Sequence, residues 1–161
     1  MDERVNLLQD EVVKVRTDTV GRPMEILLVE DSLTSARLTM GVLKKGNVQH
    51  RMTWLTDGQD ASDFLFCKGK YSHAPRPDLI LLDLELPGKD GRTLLAELKS
   101  DEHLQRIPVV VLTGSQQAEE NLKADKLSIE GFLPKPVDIE RFLEVIRELN
   151  RFWHADMMLP T

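Results

Sequence analysis

The chain has almost no cysteine, no excess of basic residues and no long apolar run. Cys67 is the only cysteine among 161 residues, so no disulfide can form within the chain, which fits a reducing compartment. No apolar run approaches the roughly 20 residues that cross a bilayer. The N-terminal stretch MDERVNLLQDEVVKVR lacks the apolar core of a secretory signal. These absences favour a cytoplasmic protein that contacts no membrane.

The charge balance further limits the functions that this chain can have. The formal net charge is −6 and charged residues make up 30% of the chain, which argues against non-specific binding to nucleic acid. Hydrophobic residues make up 41%, enough to bury the core of one domain of ordinary size.

Short apolar segments alternate with helical patterns along the chain, which predicts a parallel, doubly wound α/β sheet with helices on both faces. The predicted strands cover residues 24–29, 48–55, 79–82, 108–112 and 131–133. The predicted helices cover residues 33 to about 46, 58–66, 92–99, 116–126 and a stretch that begins at 138. The second strand is the most polar and is expected near a sheet edge.

Polar residues stand where the predicted strands end. Glu30 and Asp31 follow the first strand, Asp83 the third, Thr113 the fourth and Lys135 the fifth. Open α/β sheets bind ligands beyond the carboxyl ends of their strands, so these groups should converge. Three neighbouring carboxylates need a cation, and Mg²⁺ prefers such oxygen ligands. A strand-end carboxylate can also attack phosphorus, so phosphoryl acceptance is one option among several.

Four segments resemble, in order, the signature stretches of response-regulator receiver domains: LLVEDS, DLILLDLELPGKDG, VVLTGS and GFLPKP. Asp83 and Thr113 are 30 residues apart, and Thr113 and Lys135 are 22 apart, as is usual in that family. The resemblance covers about residues 24–148. It implies a five-stranded flavodoxin-like receiver fold with strand order 2-1-3-4-5.

The resemblance also implies roles for individual residues. Glu30, Asp31, Asp83 and the backbone carbonyl of Glu85 would hold Mg²⁺, for which Mn²⁺ can substitute. Asp83 would be the phosphoacceptor of a two-component phosphorelay. The protein would be a signalling protein and not an enzyme, although it would catalyse its own phosphorylation and dephosphorylation.

Three further residues acquire roles in the same way. Thr113 would hydrogen-bond the phosphoryl group, and Lys135 would pair with it. Thr113 and Phe132 would form the switch that reports phosphorylation. The peptide bond between Lys135 and Pro136 would be cis.

A narrower resemblance concerns the stretches FLFCKGKYSHAPRPDLILLDL and LNRFWHADMMLP. They look like the single-domain response regulators that partner bacterial and cyanobacterial phytochrome histidine kinases. This implies a sensor histidine kinase as phosphoryl donor, a downstream protein of unknown identity and a homodimer. The chain departs from the subgroup at Glu85, where Asn is common, and in the polar segment AEENLKADKLSIEG.

Both chain ends lie outside the receiver pattern. Residues 1–23 form an N-terminal extension with an apolar stripe at helical spacing, which predicts a short packed helix, with a frayed tail as the alternative. Residues 149–161 form a C-terminal extension rich in large apolar residues, which predicts a dimer interface. The alternative is that this extension folds back on its own domain. The residues concerned are Val5, Leu8, Val12 and Val15 at one end and Phe152, Trp153, Met157, Met158 and Leu159 at the other.

Three other functions compete with the receiver interpretation. A small phosphatase with an aspartyl-phosphate intermediate could use Asp83 and Glu85, but its nucleophile would stand on the first strand. A flavin-binding protein of similar fold would need a Ser/Thr/Gly-rich loop where EDSLTSA stands. A pseudo-receiver would only bind other proteins, and the full set of acidic residues argues against it.

Overall fold

Five parallel strands form one sheet. The structure, a computed structural model, describes residues 22–46, 48–114, 120, 121, 123 and 128–153. The strands are β1 Met24–Val29, β2 His50–Leu55, β3 Leu79–Asp83, β4 Val109–Thr113 and β5 Gly131–Pro134. They lie in the order β2-β1-β3-β4-β5. The strand order implied by the resemblance is therefore confirmed, and β2 lies at an edge as its polarity predicted.

Helices connect the strands, and each begins at a side-chain cap. They are α1 Leu33–Lys45, α2 Gly58–Leu65, α3 Gly91–Ser100 and α4 Ile139–Glu148. Each cap oxygen accepts a hydrogen bond from the backbone N–H three residues later, which satisfies a donor that the first helical turn leaves free. The caps are Ser32, Asp57, Asp90 and Asp138. Of the helix predicted over residues 116–126, only residues 120, 121 and 123 are described, and they are helical.

The core has two layers because successive residues of β1 point to opposite faces of the sheet. Met24, Ile26 and Leu28 belong to the layer beneath α1 and α4. Leu27 and Val29 belong to the layer beneath α2 and α3. A continuous apolar strand is what burial on both faces requires. Within the described part of the chain, no helix has the length and apolar character needed to cross a membrane.

The first turn of the C-terminal extension packs on this core. Phe152 and Trp153 are half-buried against the layer beneath α1 and α4, and the Trp153 indole N–H donates to the Asp78 carbonyl at 2.7 Å. For these two residues the chain folds back on its own domain. The predicted N-terminal helix and Met157, Met158 and Leu159 lie outside the described residues.

The carboxyl ends of the strands meet at one edge of the sheet. Thr113 is the last residue of β4 and pairs with Pro134, one position beyond the predicted end of that strand. Its carbonyl accepts a hydrogen bond from the Lys135 N–H at 2.7 Å. This backbone bond continues the ladder and carries Lys135 to the same edge as Asp83.

Candidate functional site

Three carboxylates form an acid cluster at the carboxyl edge of the sheet. Glu30, Asp31 and Asp83 each offer one oxygen, and these oxygens lie within 4.8 Å of one another. Glu30 is fully buried, Asp83 half-buried and Asp31 exposed. Like charges this close repel one another, and a hard divalent cation such as Mg²⁺ would relieve that repulsion. The sequence predicted this convergence, and the structure brings the three residues together.

Glu30 is held in place by the edge strand. Its N–H donates to the Leu55 carbonyl at 3.0 Å, and its own carbonyl accepts from the Trp54 indole at 2.7 Å. One carboxylate oxygen, Oε2, accepts from the Ser32 N–H at 3.2 Å. Sequence reasoning missed Trp54, because a contact across 24 positions leaves no local pattern.

Lys135 bridges two of the carboxylates. Its Nζ lies 2.7 Å from Glu30 Oε1 and 3.1 Å from Asp83 Oδ2. Burial raises the pKa of Glu30, although the contact with Lys135 opposes this rise. Burial alone would lower the pKa of Lys135, but its contacts with Glu30 and Asp83 outweigh burial and raise it. The lysine is therefore held as an ammonium inside the site.

Thr113 Oγ1 is a buried oxygen at this edge that has no hydrogen-bond partner among the described residues, whereas Glu30 Oε1 lies 2.7 Å from the Lys135 ammonium. An unsatisfied buried polar group costs about 1–3 kcal/mol, so the persistence of this hydroxyl suggests a ligand. An oxyanion beside Thr113 would accept a hydrogen bond from it, and a cation would offset the charge of the acid cluster. The donor set thus fits a magnesium ion together with a phosphoryl group.

A cleft of about 410 Å³ opens between β3, β4 and β5. Its wall combines carboxylates with a hydroxyl and two cations, which is the chemistry that an anion bound next to a metal requires. The lining includes Asp83, Glu85, Arg92, Thr113 and Lys135. Asp83 is half-buried in this lining.

The loop after β3 turns back tightly against Asp83. The Glu85 N–H donates to Asp83 Oδ1 at 2.9 Å, and the Gly91 N–H donates to the Leu84 carbonyl at 3.0 Å. A Cβ at position 91 would lie 2.5 Å from Leu84 Cα and 2.9 Å from the Asp83 carbonyl oxygen, so only glycine fits. Gly88 takes a φ of 68°, which glycine adopts without strain.

A group that we name the loop clamp ties this loop to α2 and α3. It consists of Ser62, Lys89 and Glu97. Lys89 Nζ lies 2.7 Å from Glu97 Oε2, and Ser62 Oγ donates to Glu97 Oε1 at 3.1 Å. A Cβ on Gly58 would collide with the Lys89 carbonyl, so α2 packs directly on the loop backbone. No local pattern predicts the loop clamp.

Phe132 and the Lys135–Pro136 bond complete the set of predicted features. Phe132 is half-buried in β5 beside the layer of α2 and α3, and the Lys123 ammonium lies 5.6 Å from its ring. The Lys135–Pro136 peptide is cis, as expected. The switch role of Phe132 and Thr113 stays a prediction.

Comparison with known proteins agrees with this geometry. The family described as "Response regulator receiver domain" matches residues 26–147. The chain is 41% identical over 144 residues to Response regulator Rcp1 of Synechocystis sp., which covers 89% of this chain and 98% of that protein.

Two solved structures are similar along most of the chain. The crystal structure of the Mn²⁺-bound form of response regulator Rcp1 is 42% identical, with a TM-score of 0.66, and covers 86% of this chain and 100% of that one. The crystal structure of the phosphorylated cyanobacterial phytochrome response regulator RcpA is 38% identical, with a TM-score of 0.66, and covers 86% of this chain and 99% of that one.

Proposed function

This chain belongs to the response regulator receiver domain family, and we propose that it accepts a phosphoryl group on Asp83 with the help of a divalent cation. Receiver domains are signalling proteins of two-component systems, and phosphorylation and Mg²⁺ binding are typical of them. One observation carries the assignment to Asp83: its carboxylate belongs to the acid cluster, lies 3.1 Å from the Lys135 ammonium and lines the cleft.

The cation would be held by the acid cluster. Glu30, Asp31 and Asp83 would supply carboxylate oxygens, and the Glu85 carbonyl would add a further ligand. Mg²⁺ suits such a set of oxygens and keeps several waters. Rcp1 crystallised with Mn²⁺, which supports Mn²⁺ as a substitute here. Once bound, the cation would neutralise charge on the transferred group.

The chain's own residues would do the remaining work. An Asp83 oxygen attacks the phosphorus of a phosphohistidine, the P–N bond breaks, and the imidazole leaves as the acyl phosphate forms. Lys135 pairs with the incoming phosphoryl oxygens, and the unsatisfied Thr113 hydroxyl donates to one of them. Water later attacks the phosphorus and regenerates Asp83, so both phosphorylation and dephosphorylation are catalysed by the chain itself.

The donor is proposed to be a sensor histidine kinase of the phytochrome type, because RcpA is a phytochrome response regulator by name. A donor surface lies beside the acid cluster. Leu38 on α1 is 52% exposed and lines a cleft with Lys135 and Pro136. This apolar side chain next to the reacting groups would give a kinase helix a contact from which to deliver its phosphohistidine.

Domain limits and assembly complete the proposal. Residues 24–148 would form the receiver unit, with residues 1–23 and 149–161 as extensions and a homodimer as the working state. Phe152 and Trp153 are half-buried against their own domain, so a dimer interface would have to involve other residues besides the accessible parts of these two rings. Sedimentation of the wild type against a chain that ends after Asn150 tests this.

The single cysteine supports a cytoplasmic location.

The assignment of Asp83 is tested by labelling with acetyl phosphate in Mg²⁺, followed by intact-mass measurement. We expect one phosphoryl group on the wild type, none after EDTA and none on Asp83→Asn. Asp78→Asn, at the other end of β3, should still accept the group. Equal labelling of wild type and Asp83→Asn would overturn the assignment, and a pseudo-receiver would show no labelling of either.

A further inference from the structure

A second cleft, of about 470 Å³, opens at the amino edge of the sheet, opposite the acid cluster. We call it the arginine cleft. It lies at the amino ends of β1, β3 and β4, and its lining is a mixture of cations and aromatic rings. The residues that matter here are Arg22, Arg76, Arg106, Phe152 and Trp153. The phosphoryl chemistry proposed above uses none of them.

The three arginines differ in their partners. Arg22 is paired with Asp78, through hydrogen bonds of 2.7 and 2.8 Å. Arg76 donates to the His103 carbonyl at 2.9 Å and has no carboxylate partner among the described residues. The Arg106 side chain has no hydrogen bond or ion pair with any residue that the structure describes. Two guanidinium groups at this cleft therefore have no carboxylate to neutralise them.

The loop that leads into the arginine cleft is also basic. Residues 64–77 contain Lys68, Lys70, His73 and Arg76 and no aspartate or glutamate. All four side chains are exposed. In a chain whose formal net charge is −6, this stretch is a local concentration of positive charge, and its Arg76 lines the arginine cleft, so it would attract an acidic partner.

The aromatic wall of the arginine cleft is fixed before any ligand arrives. The Trp153 indole is held by its 2.7 Å hydrogen bond to the Asp78 carbonyl, and the Arg151 guanidinium lies 4.6 Å from the Phe152 ring. Both rings are half-buried, so each keeps an accessible part. Rigid aromatic residues next to arginine are typical of the energetic centres of protein interfaces.

We propose that the arginine cleft binds a segment of a partner protein in which carboxylate side chains flank an apolar side chain. Guanidinium groups recognise carboxylates through paired hydrogen bonds, and the rings of Phe152 and Trp153 offer the apolar contact. The volume is that of a site for a short segment. This binding is independent of Asp83 and leaves the carboxyl edge free for a phosphoryl donor.

Nuclear magnetic resonance offers a direct test because the chain has two tryptophans, one at each edge of the sheet. The Trp54 indole contacts Glu30, and a Trp54→Phe variant assigns its signal. The probe is the peptide acetyl-Glu-Glu-Phe-Glu-Glu-amide. We expect a saturable shift of the Trp153 indole signal and an unchanged Trp54 signal.

Charge variants decide whether the arginines cause the binding. Arg76→Gln combined with Arg106→Gln should weaken peptide binding at least about tenfold. Arg141→Gln is the matched control, because Arg141 is 43% exposed on α4 with only a 4.0 Å contact to Glu144. Both arginines of the double variant are exposed, so it should fold, and its labelling by acetyl phosphate should equal that of the wild type.

Several results would overturn the proposal. These are an unmoved Trp153 signal at millimolar peptide, equal affinity of the double variant, or an equal shift from the same peptide with lysine in place of glutamate. A shift with a single-stranded oligothymidylate and none with the peptide would assign the cleft to nucleic acid instead. Since acetyl phosphate labelling is measured separately, failure here is distinguishable from failure of the assignment of Asp83.

Discussion

Strand β3 carries an aspartate at each end, and the two have opposite surroundings. Asp78 precedes the strand and Asp83 ends it, and both side chains are 13% exposed. The Asp78 carboxylate accepts three hydrogen bonds, two from Arg22 and one from the Glu25 N–H at 2.8 Å. Asp83 accepts one from the Glu85 N–H and one from Lys135, and it faces two further carboxylates.

Equal burial therefore produces two different aspartates. The carboxylate at the amino edge is neutralised by Arg22 and accepts a third hydrogen bond from the backbone, so it stabilises the fold. The carboxylate at the carboxyl edge is under-satisfied and crowded by like charge, so it is available to a cation and a phosphoryl group. The number of donors, and not depth, separates a structural carboxylate from one that can react.

The largest effect is expected from replacing each of the two aspartates in turn and comparing the stabilities of the two variants. Asp78→Ala should lower the free energy of unfolding by about 2–3 kcal/mol, because it removes two charge-assisted hydrogen bonds from Arg22 and the acceptor of the Glu25 N–H. Asp83→Asn in EDTA should be at least as stable as the wild type, because it removes repulsion. Urea unfolding measures both. Arg51→Ala, which breaks an exposed 3.5 Å contact with Glu25, should cost less than about 1 kcal/mol. A destabilised Asp83→Asn would contradict the comparison.

The next effect concerns the cation. Asp31→Asn should lower Mg²⁺ affinity at least about tenfold, since it removes a unit charge within a few ångströms of the ion. Titration calorimetry measures the affinity. Glu140→Gln, an exposed acid in the first turn of α4, serves as control and should bind Mg²⁺ as the wild type does. If both variants bind equally well, the cation is not held by the acid cluster.

A smaller effect is expected from the loop clamp. Lys89→Met should weaken Mg²⁺ binding about fivefold, because the loop that carries Glu85 loses its side-chain contacts with α2 and α3. This loss is smaller than the roughly tenfold or greater loss that follows when a direct partner of a metal ligand is removed. Lys99→Met is a matched control: Lys99 is a similarly buried lysine of α3, and it pairs with Glu130 at 3.1 Å. It should lose stability without losing Mg²⁺ affinity. Equal Mg²⁺ affinities in the two variants would show that the loop clamp only stabilises the fold.

The smallest effect is expected at Glu85. This exposed side chain lines the cleft of Asp83, where its negative charge disfavours a phosphoryl group. Glu85→Asn should raise the phosphorylated fraction at steady state by about twofold to threefold at a fixed acetyl phosphate concentration, as measured by intact mass. Glu85→Gln should do the same if charge is the cause. An unchanged fraction in both variants would place the side chain away from the phosphoryl group.

The sequence predicted the parts of this molecule that depend on local pattern. Strand ends follow from apolar runs, and parallel strands bring their ends together, so the convergence of Asp83 and Lys135 needed no coordinates. Strand limits shifted by one or two residues, as at Thr113, because register is set by pairing with β3 and β5.

Contacts between distant side chains could not be predicted in this way. Ser62 and Glu97 are polar residues of two amphipathic helices. Neither helical pattern predicts a contact between them or with Lys89. Asp78 follows a proline in a loop, and nothing in the sequence around it predicts its partners. Its three donors come from residues more than 50 positions earlier in the chain.

The position of Lys135 has a consequence for the order of events at the carboxyl edge. Three carboxylates and one ammonium leave these four side chains with a formal charge of −2. A doubly negative phosphoryl donor that approached them directly would meet net repulsion, whereas a divalent cation is attracted and brings the total to zero. We therefore predict that the cation binds before the phosphoryl donor. At a fixed donor concentration, the rate of phosphorylation should then rise with cation concentration and level off as the metal site fills.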